Sequence, residues 1–193
     1  MTIHQYDFIV IGGGIIGINI ANELKESFQD CSICILEKED HLAEHASGRN
    51  SGVLHAGFYY DEDSIKAKFC RDGNKALTEY CLQKNITINR CGKLVVASNE
   101  EELNSLNILM ARGKKNNVEL IEIDEKDLLE IDPMAKTFQK AIFSPNTSTV
   151  SPIRLMQSMQ NDAKKNGIDI FLKTKYLSRK KDSINTSKGH FKG

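Results

Sequence analysis

The chain has 193 residues, enough for one domain or for one domain and part of another. Apolar residues make up 40% and charged residues 27%, ordinary values that exclude disorder, collagen-like repeats and a coiled coil as descriptions of the whole chain. Lys and Arg number 26 against 26 Asp and Glu, so no global charge draws the chain to nucleic acid or an anionic membrane.

In chain order, YDFIVIG reads as a strand, its unbroken apolar run being of the kind that buried parallel sheets produce. The run from Phe8 to Ile18 is too short to span a bilayer. No Lys or Arg precedes it and Asp7 adjoins it, so it makes a poor export signal and a cytoplasmic chain is expected. GGGIIG follows, then a helix with Ile16, Ile20, Ala21 and Leu24 as its apolar stripe, then CSICILE as a second strand. Strand, glycine turn, helix and strand make a βαβ unit.

HASGRNSGVLHAGFYY reads as irregular, its glycines letting backbone approach a ligand closely, although a plain loop has the same composition. Ser64 caps an expected helix to about Lys84, with Ile65, Phe69, Leu77, Tyr80 and Cys81 inward. ITINRCGKLVVAS reads as a strand pair or one long strand. A helix over about 100–115 turns Leu103, Leu106 and Met110 inward. VELIEI is a strand, EKDLLEI a short helix stopped by Pro133, and KAIFSP a further strand. Ser151-Pro152 opens a helix with Ile153, Met156, Met159 and Ala163 inward and Gly167 at its end. IDIFLKTKYL reads as one strand.

From Lys173 onward there are seven Lys or Arg and one Asp, a basic tail read as a solvated end rather than a nucleic-acid contact. SINTSKGHFKG reads as the first part of a hairpin whose partner strand is missing. The five cysteines are expected reduced and buried as small apolar side chains. His4, His41, His45 and His190 share no ligand spacing with acids or cysteines, so no metal site is expected.

The glycine turn carries the chemistry. Gly12-x-Gly14-x-x-Gly17 has a strand before it, a helix after it and Glu37 at the end of the next strand. Gly12 permits the tight turn, Gly14 lets backbone approach a pyrophosphate, and Gly17 lets the helix pack on the sheet. The free N–H groups and the dipole at the helix start favour negative charge. Glu37 can accept hydrogen bonds from ribose hydroxyls, which favours FAD or NAD over NADP.

With YDFIVIGGGIIG and ILEKE, the stretch ASGRNSGVLHAGFYY (46–60) resembles the FAD-dependent oxidoreductases of the D-amino-acid oxidase type. Within them it is most similar to the 2-hydroxyglutarate dehydrogenase and oxidase branch. CGKLVVA (91–97) and the Thr149-Val150-Ser151-Pro152 helix start add to the likeness.

The resemblance implies an α/β chain with a Rossmann-like βαβ FAD-binding fold and an inserted α+β portion of a substrate domain. Residues 1–84 and 148–193 would be FAD domain and 85–147 the first part of the substrate domain. It implies FAD as cofactor, with Ser47, Arg49, Asn50 and Ser51 along its pyrophosphate, ribityl and flavin side, Lys38 near the adenosine, and the backbone at Lys175-Tyr176 at the adenine.

The implied reaction is oxidation of L-2-hydroxyglutarate or a similar 2-hydroxy acid by hydride transfer to flavin N5, with oxygen or a quinone as electron acceptor. The quinone case would bring the chain to a membrane periphery. His55 is the candidate base for the substrate hydroxyl. Covalent attachment to the flavin and plain structural packing stay open for it. Tyr59, Tyr60 and Lys66 are candidate partners of an acidic substrate. Amine oxidation and a non-catalytic FAD-binding role are the alternatives. Family members are about twice as long, so a truncated or split form of a longer oxidoreductase is expected.

Overall fold

The computed structural model describes residues 3–62 and 64–193. In chain order come β1 (Ile3–Gln5), β2 (Phe8–Ile11), α1 (Ile15–Ser27), β3 (Ile33–Leu36), β4 (Val53–Leu54) and α2 (Ile65–Gln83). Next are β5 (Ile88–Asn89), β6 (Lys93–Val96), α3 (Glu100–Lys115), β7 (Ile121–Asp124) and α4 (Glu125–Ile131). Last come β8 (Lys140–Ser144), β9 (Ser148–Val150), α5 (Pro152–Lys165), β10 (Asp169–Phe171), β11 (Tyr176–Lys180), β12 (Ser183–Thr186) and β13 (Gly189–Lys192). Two units divide these elements, one running to Ser51 and resuming at Pro152–Gly193, the other Gly52–Ser151. The 84/85 boundary expected from the sequence falls just past α2, inside the second unit.

The first unit is the βαβ core. β2 and β10 both pair in parallel with β3, giving the order β10-β3-β2. The central strand β3 is buried along its whole length. Cys34 and Leu36 pack with Phe191, Tyr6, Ile9, Phe171 and Ile184. Burial, with the Asp169 carboxylate nearby, pushes the Cys34 thiol up to about 12, so it stays an inert apolar side chain. Helices α1 and α5 pack on each other, and the Asn19 amide Nδ2 reaches the Met159 sulfur at 3.5 Å.

Four expectations for this unit are corrected, one of them in α5, where Ile153, expected inward, is 58% exposed. Ile16 and Ile20 are 74% and 48% exposed, whereas Ile18 and Ala21 are buried. Each of those isoleucines stands two residues from Ile18, about 200° around a helix of 3.6 residues per turn. They face a groove of about 540 Å³ along the unpaired side of β2, with Val10 and Ile11 in its lining.

IDIFLKTKYL is not one strand. Lys173 takes a positive φ of 54°, and the chain leaves one sheet for another between β10 and β11. The lysine-rich tail is not half a hairpin. β12 and β13 form a complete one, β11 flanks it, and β13 pairs in parallel with β1, from Ile3 with His190 to Gln5 with Lys192.

The second unit is antiparallel. One sheet has the order β4-β9-β5 and the other β6-β8-β7. ITINRCGKLVVAS therefore divides between two sheets, turning at Gly92 with φ +68°. A Cβ there would come within 2.3 Å of the Phe143 ring, so the turn admits only glycine. Ala97, Leu103, Leu106 and Ile142 form one core cluster, with Met110 packed against it.

Helix α3 is well specified. Asn99 Oδ1 accepts from the Glu102 N–H, Glu102 Oε2 accepts from the Ser98 N–H, acids fill the first turn and Arg112, Lys114 and Lys115 the last. The Ser64 hydroxyl caps α2, accepting from the Ala67 N–H at 3.1 Å. Ile65 and Phe69 are exposed rather than inward, because Ala67, two residues from each, holds the buried side. All five cysteines are free thiols, but Cys91 is exposed and Cys31 and Cys70 are half-buried, so only Cys34 and Cys81 fit the expected burial.

Candidate functional site

The glycine turn closes on itself through short contacts. Gly12 follows β2 with φ +103°, and its N–H donates to the Leu36 carbonyl at 2.9 Å. At Gly17 a Cβ would stand 2.0 Å from the Gly12 carbonyl oxygen, so α1 can start this close to β2 only with glycine there. Gly14 occupies the N-cap of α1 and brings no capping side chain. The Ser47 hydroxyl, 32 residues from Ile15, accepts from the Ile15 N–H at 3.0 Å and ties the irregular stretch to the helix start.

Glu37 is 7% exposed. Its Oε2 accepts from the Gly13 N–H at 2.7 Å and its Oε1 from the Glu39 N–H at 3.0 Å. A carboxylate has about four acceptor positions, so two are left for further donors. Its backbone carbonyl accepts from the Thr174 N–H at 2.7 Å, which seats the start of the last sheet beside it.

These groups surround a cleft of about 350 Å³, lined among others by Gly12, Gly14, Glu37, Lys38, Ser47 and Tyr176. Gly17 lies behind it as a packing residue. Arg49 lies in a neighbouring cleft of about 410 Å³, where its guanidinium is 3.4 Å from the Glu44 carboxylate. The Asn50 amide donates to the Ala46 and Ser47 carbonyls, and Ser51 is exposed. The structure thus groups five of the expected cofactor-binding residues in one cleft and puts Arg49, Asn50 and Ser51 outside it.

Sequence spacing missed one cluster. The ligand atoms of Asp40, His41 and Glu44 lie within 4.8 Å of one another on an exposed surface. Cations already face its acids, Lys173 at 3.8 Å from Asp40 and Arg49 at Glu44.

His55 belongs to the second unit. His55 is exposed, yet partial desolvation by its buried neighbours, then the Lys93 charge, lowers its imidazole from the ordinary histidine value. The residues after it form a buried turn, with Ala56 and Phe58 packed against Val118. Asn116 Nδ2 donates to the Gly57 and Tyr60 carbonyls at 3.2 and 3.0 Å, and Arg112 Nη1 donates to the Tyr59 carbonyl at 3.1 Å. The end of α3 therefore fixes the backbone that carries His55, Tyr59 and Tyr60. The Lys66 ammonium rests 4.4 Å from the centre of the Tyr60 ring, and Lys93 rests 4.5 Å from that of Tyr59. Lys93 was not singled out from the sequence. It lies in CGKLVVA, far along the chain from His55, and no spacing rule connects the two.

Residues 7–191 match the model of the family described as FAD dependent oxidoreductase. The chain belongs to the FAD-dependent oxidoreductase family. The cofactor of that family is FAD, and the glycine turn, the glycine at the N-cap of α1 and the buried acid at the end of β3 fit a dinucleotide of that kind.

A mitochondrial L-2-hydroxyglutarate dehydrogenase from Nematostella vectensis is 42% identical over 168 residues, which cover 86% of this chain and 37% of that protein. The L-2-hydroxyglutarate dehydrogenase of Escherichia coli K12 is 41% identical over 147 residues, covering 76% of this chain and 35% of its own length. The chain spans little more than a third of these curated relatives. Glycine oxidase from Geobacillus kaustophilus superposes with a TM-score of 0.87 at 22% identity, covering 98% of this chain and 54% of that one. L-α-glycerophosphate oxidase from Mycoplasma pneumoniae, with FAD bound, gives 0.86 at 24%, covering 98% and 52%. Those two likenesses show the fold. The family resemblance carried by residues 46–60, and the α/β FAD-binding fold expected from it, are borne out. No helix among the described residues is long and apolar enough to cross a membrane.

Proposed function

We propose that this chain binds FAD through its first unit and serves the oxidation of L-2-hydroxyglutarate or a closely similar 2-hydroxy acid. The observation that carries the reading is the 37–42% identity, across most of the chain, with proteins named L-2-hydroxyglutarate dehydrogenase. Gly12 and Gly14 would admit the pyrophosphate to the start of α1, with Gly17 allowing the approach of helix and strand. Glu37 would take ribose hydroxyls on its two remaining acceptor positions, beside Lys38. Ser47, Arg49, Asn50 and Ser51 would serve the phosphate, ribityl and flavin side.

Bound FAD supplies the two-electron acceptor that oxidation of an alcohol carbon requires. In this reading His55 takes the proton of the substrate hydroxyl. An imidazole biased toward its neutral form by partial desolvation and a neighbouring cation is ready to accept one at neutral pH. Oxygen or a quinone would then receive the electrons.

The test is an absorbance spectrum of the purified chain with and without added FAD, followed by anaerobic addition of L-2-hydroxyglutarate, glycine or sarcosine. Retained flavin absorbance that bleaches with L-2-hydroxyglutarate alone is the expected result. Bleaching by the amines instead overturns the substrate. Flavin that is held but bleached by none of them supports the second reading, a FAD-binding chain without catalysis of its own. A colourless chain that leaves FAD free overturns the proposal.

A further inference from the structure

We propose that Lys93 is the anchor for the carboxylate next to the reacting carbon, the group that makes the substrate a 2-hydroxy acid and not simply an alcohol. This rests on the functional reading above and adds a specificity-determining residue to it.

Lys93 opens β6 immediately after the Gly92 turn, and its backbone is fixed by antiparallel pairing with Ser144. It is half-buried, and among the described residues no carboxylate lies within ion-pair distance. Other cations of the same unit are paired: Arg112 with Asp61, Lys115 with Glu62, and Lys140 with Glu122. Withdrawing an ammonium from water without a counter-ion is unfavourable, and a ring face offsets only part of that cost. The Tyr59 ring is the partner it has, 4.5 Å from Nζ to ring centre, leaving the donors turned away from the ring to meet an anion.

The location selects which anion. Lys93 rests on the ring of Tyr59, four residues after His55 in the turn that the end of α3 holds in place, and its charge disfavours the imidazolium. A 2-hydroxy acid carries its hydroxyl and a carboxylate on adjacent carbons, so one molecule can give its proton to His55 while its carboxylate meets Lys93. Lys66, the other lysine lying on a tyrosine of this turn, is exposed and has less reason to need a counter-charge.

Three probes separate the carboxylates: L-2-hydroxyglutarate, L-2-hydroxybutyrate, which lacks the distal carboxylate, and 4-hydroxybutyrate, which lacks the one beside the hydroxyl. Binding to the FAD-loaded chain is read by calorimetry and, independently of flavin chemistry, by tyrosine fluorescence, since the chain has no Trp. Lys93→Gln is expected to weaken both 2-hydroxy acids at least tenfold and to leave 4-hydroxybutyrate unchanged. Lys93→Arg is expected to restore most of the affinity. Lys126→Gln, an exposed lysine on α4, is the control.

Saturable binding of L-2-hydroxyglutarate with equal affinity in wild type and Lys93→Gln overturns the assignment and spares the functional reading. Equal weakening of all three probes also overturns it, because it marks a general loss of structure or charge. A wild-type chain that holds FAD but shows no saturable signal with L-2-hydroxyglutarate overturns both.

Discussion

At the scale of single residues, His55 and Lys93 form one electrostatic system. The folded imidazole protonates less readily than the unfolded one, because partial desolvation first and the Lys93 charge second disfavour the cation. The stability linked to its neutral form is complete above the unfolded value of about 6.5 and is lost as pH falls below it. Lys93→Gln removes one of the two causes, so the His55 midpoint should move up. A histidine NMR titration, with the His55 resonance assigned from a His55→Gln spectrum, checks this. An unmoved midpoint would show that the two side chains do not sense each other. Gly12, Gly14, Gly17 and Glu37 were legible in the sequence because each answers a local demand: a positive φ, a close approach or the end of a strand. Lys93 was not, because its meaning comes from a neighbour brought to it by folding.

At the scale of elements, two of the glycines inside helices, Gly17 and Gly73, make opposite predictions. A Cβ on Gly17 meets the Gly12 carbonyl at 2.0 Å, a backbone atom that cannot step aside, whereas a Cβ on Gly73 meets nothing within 4 Å. Gly17→Ala should therefore push α1 off the turn, lowering both stability and FAD retention. Gly73→Ala should stabilise α2 by about 0.5–1 kcal/mol through helix propensity. Urea denaturation of the two variants separates the cases, and a Gly17→Ala chain as stable as wild type would contradict the packing described for α1 and β2. Element types read well from the sequence wherever a start signal and an apolar period agreed, as at Ser64 and Ser151-Pro152. Facing directions read less well. In α1 and α2 an exposed isoleucine or phenylalanine lies two positions from a small or branched residue that takes the core, and composition alone does not say which of two apolar stripes is buried.

At the scale of the whole molecule, the last strand matters more than its composition suggests. Phe191, 2% exposed among seven Lys or Arg, stacks on His4 with ring centres 4.9 Å apart and packs on Cys34 and Leu36 of the central strand. Phe191→Ala should cost about 3–5 kcal/mol in chemical denaturation, as large-to-small changes at filled core positions do. A loss under about 1 kcal/mol would mean that the tail sheet is dispensable. Its lysines hid the sheet from sequence reading, since polar residues on the open positions mask the few inward ones. The pairing of β13 with β1 also sets an order of events during synthesis. The segment from Gly52 to Ser151 is continuous and can fold as it leaves the ribosome. The first strand, β1, however, waits for a partner made almost at the end, roughly ten to forty seconds later at ordinary translation rates. For that interval Ile3–Gln5 stands unpaired in the nascent chain while β2 can already pair with β3, which makes this first strand the stretch a ribosome-associated chaperone would be expected to hold.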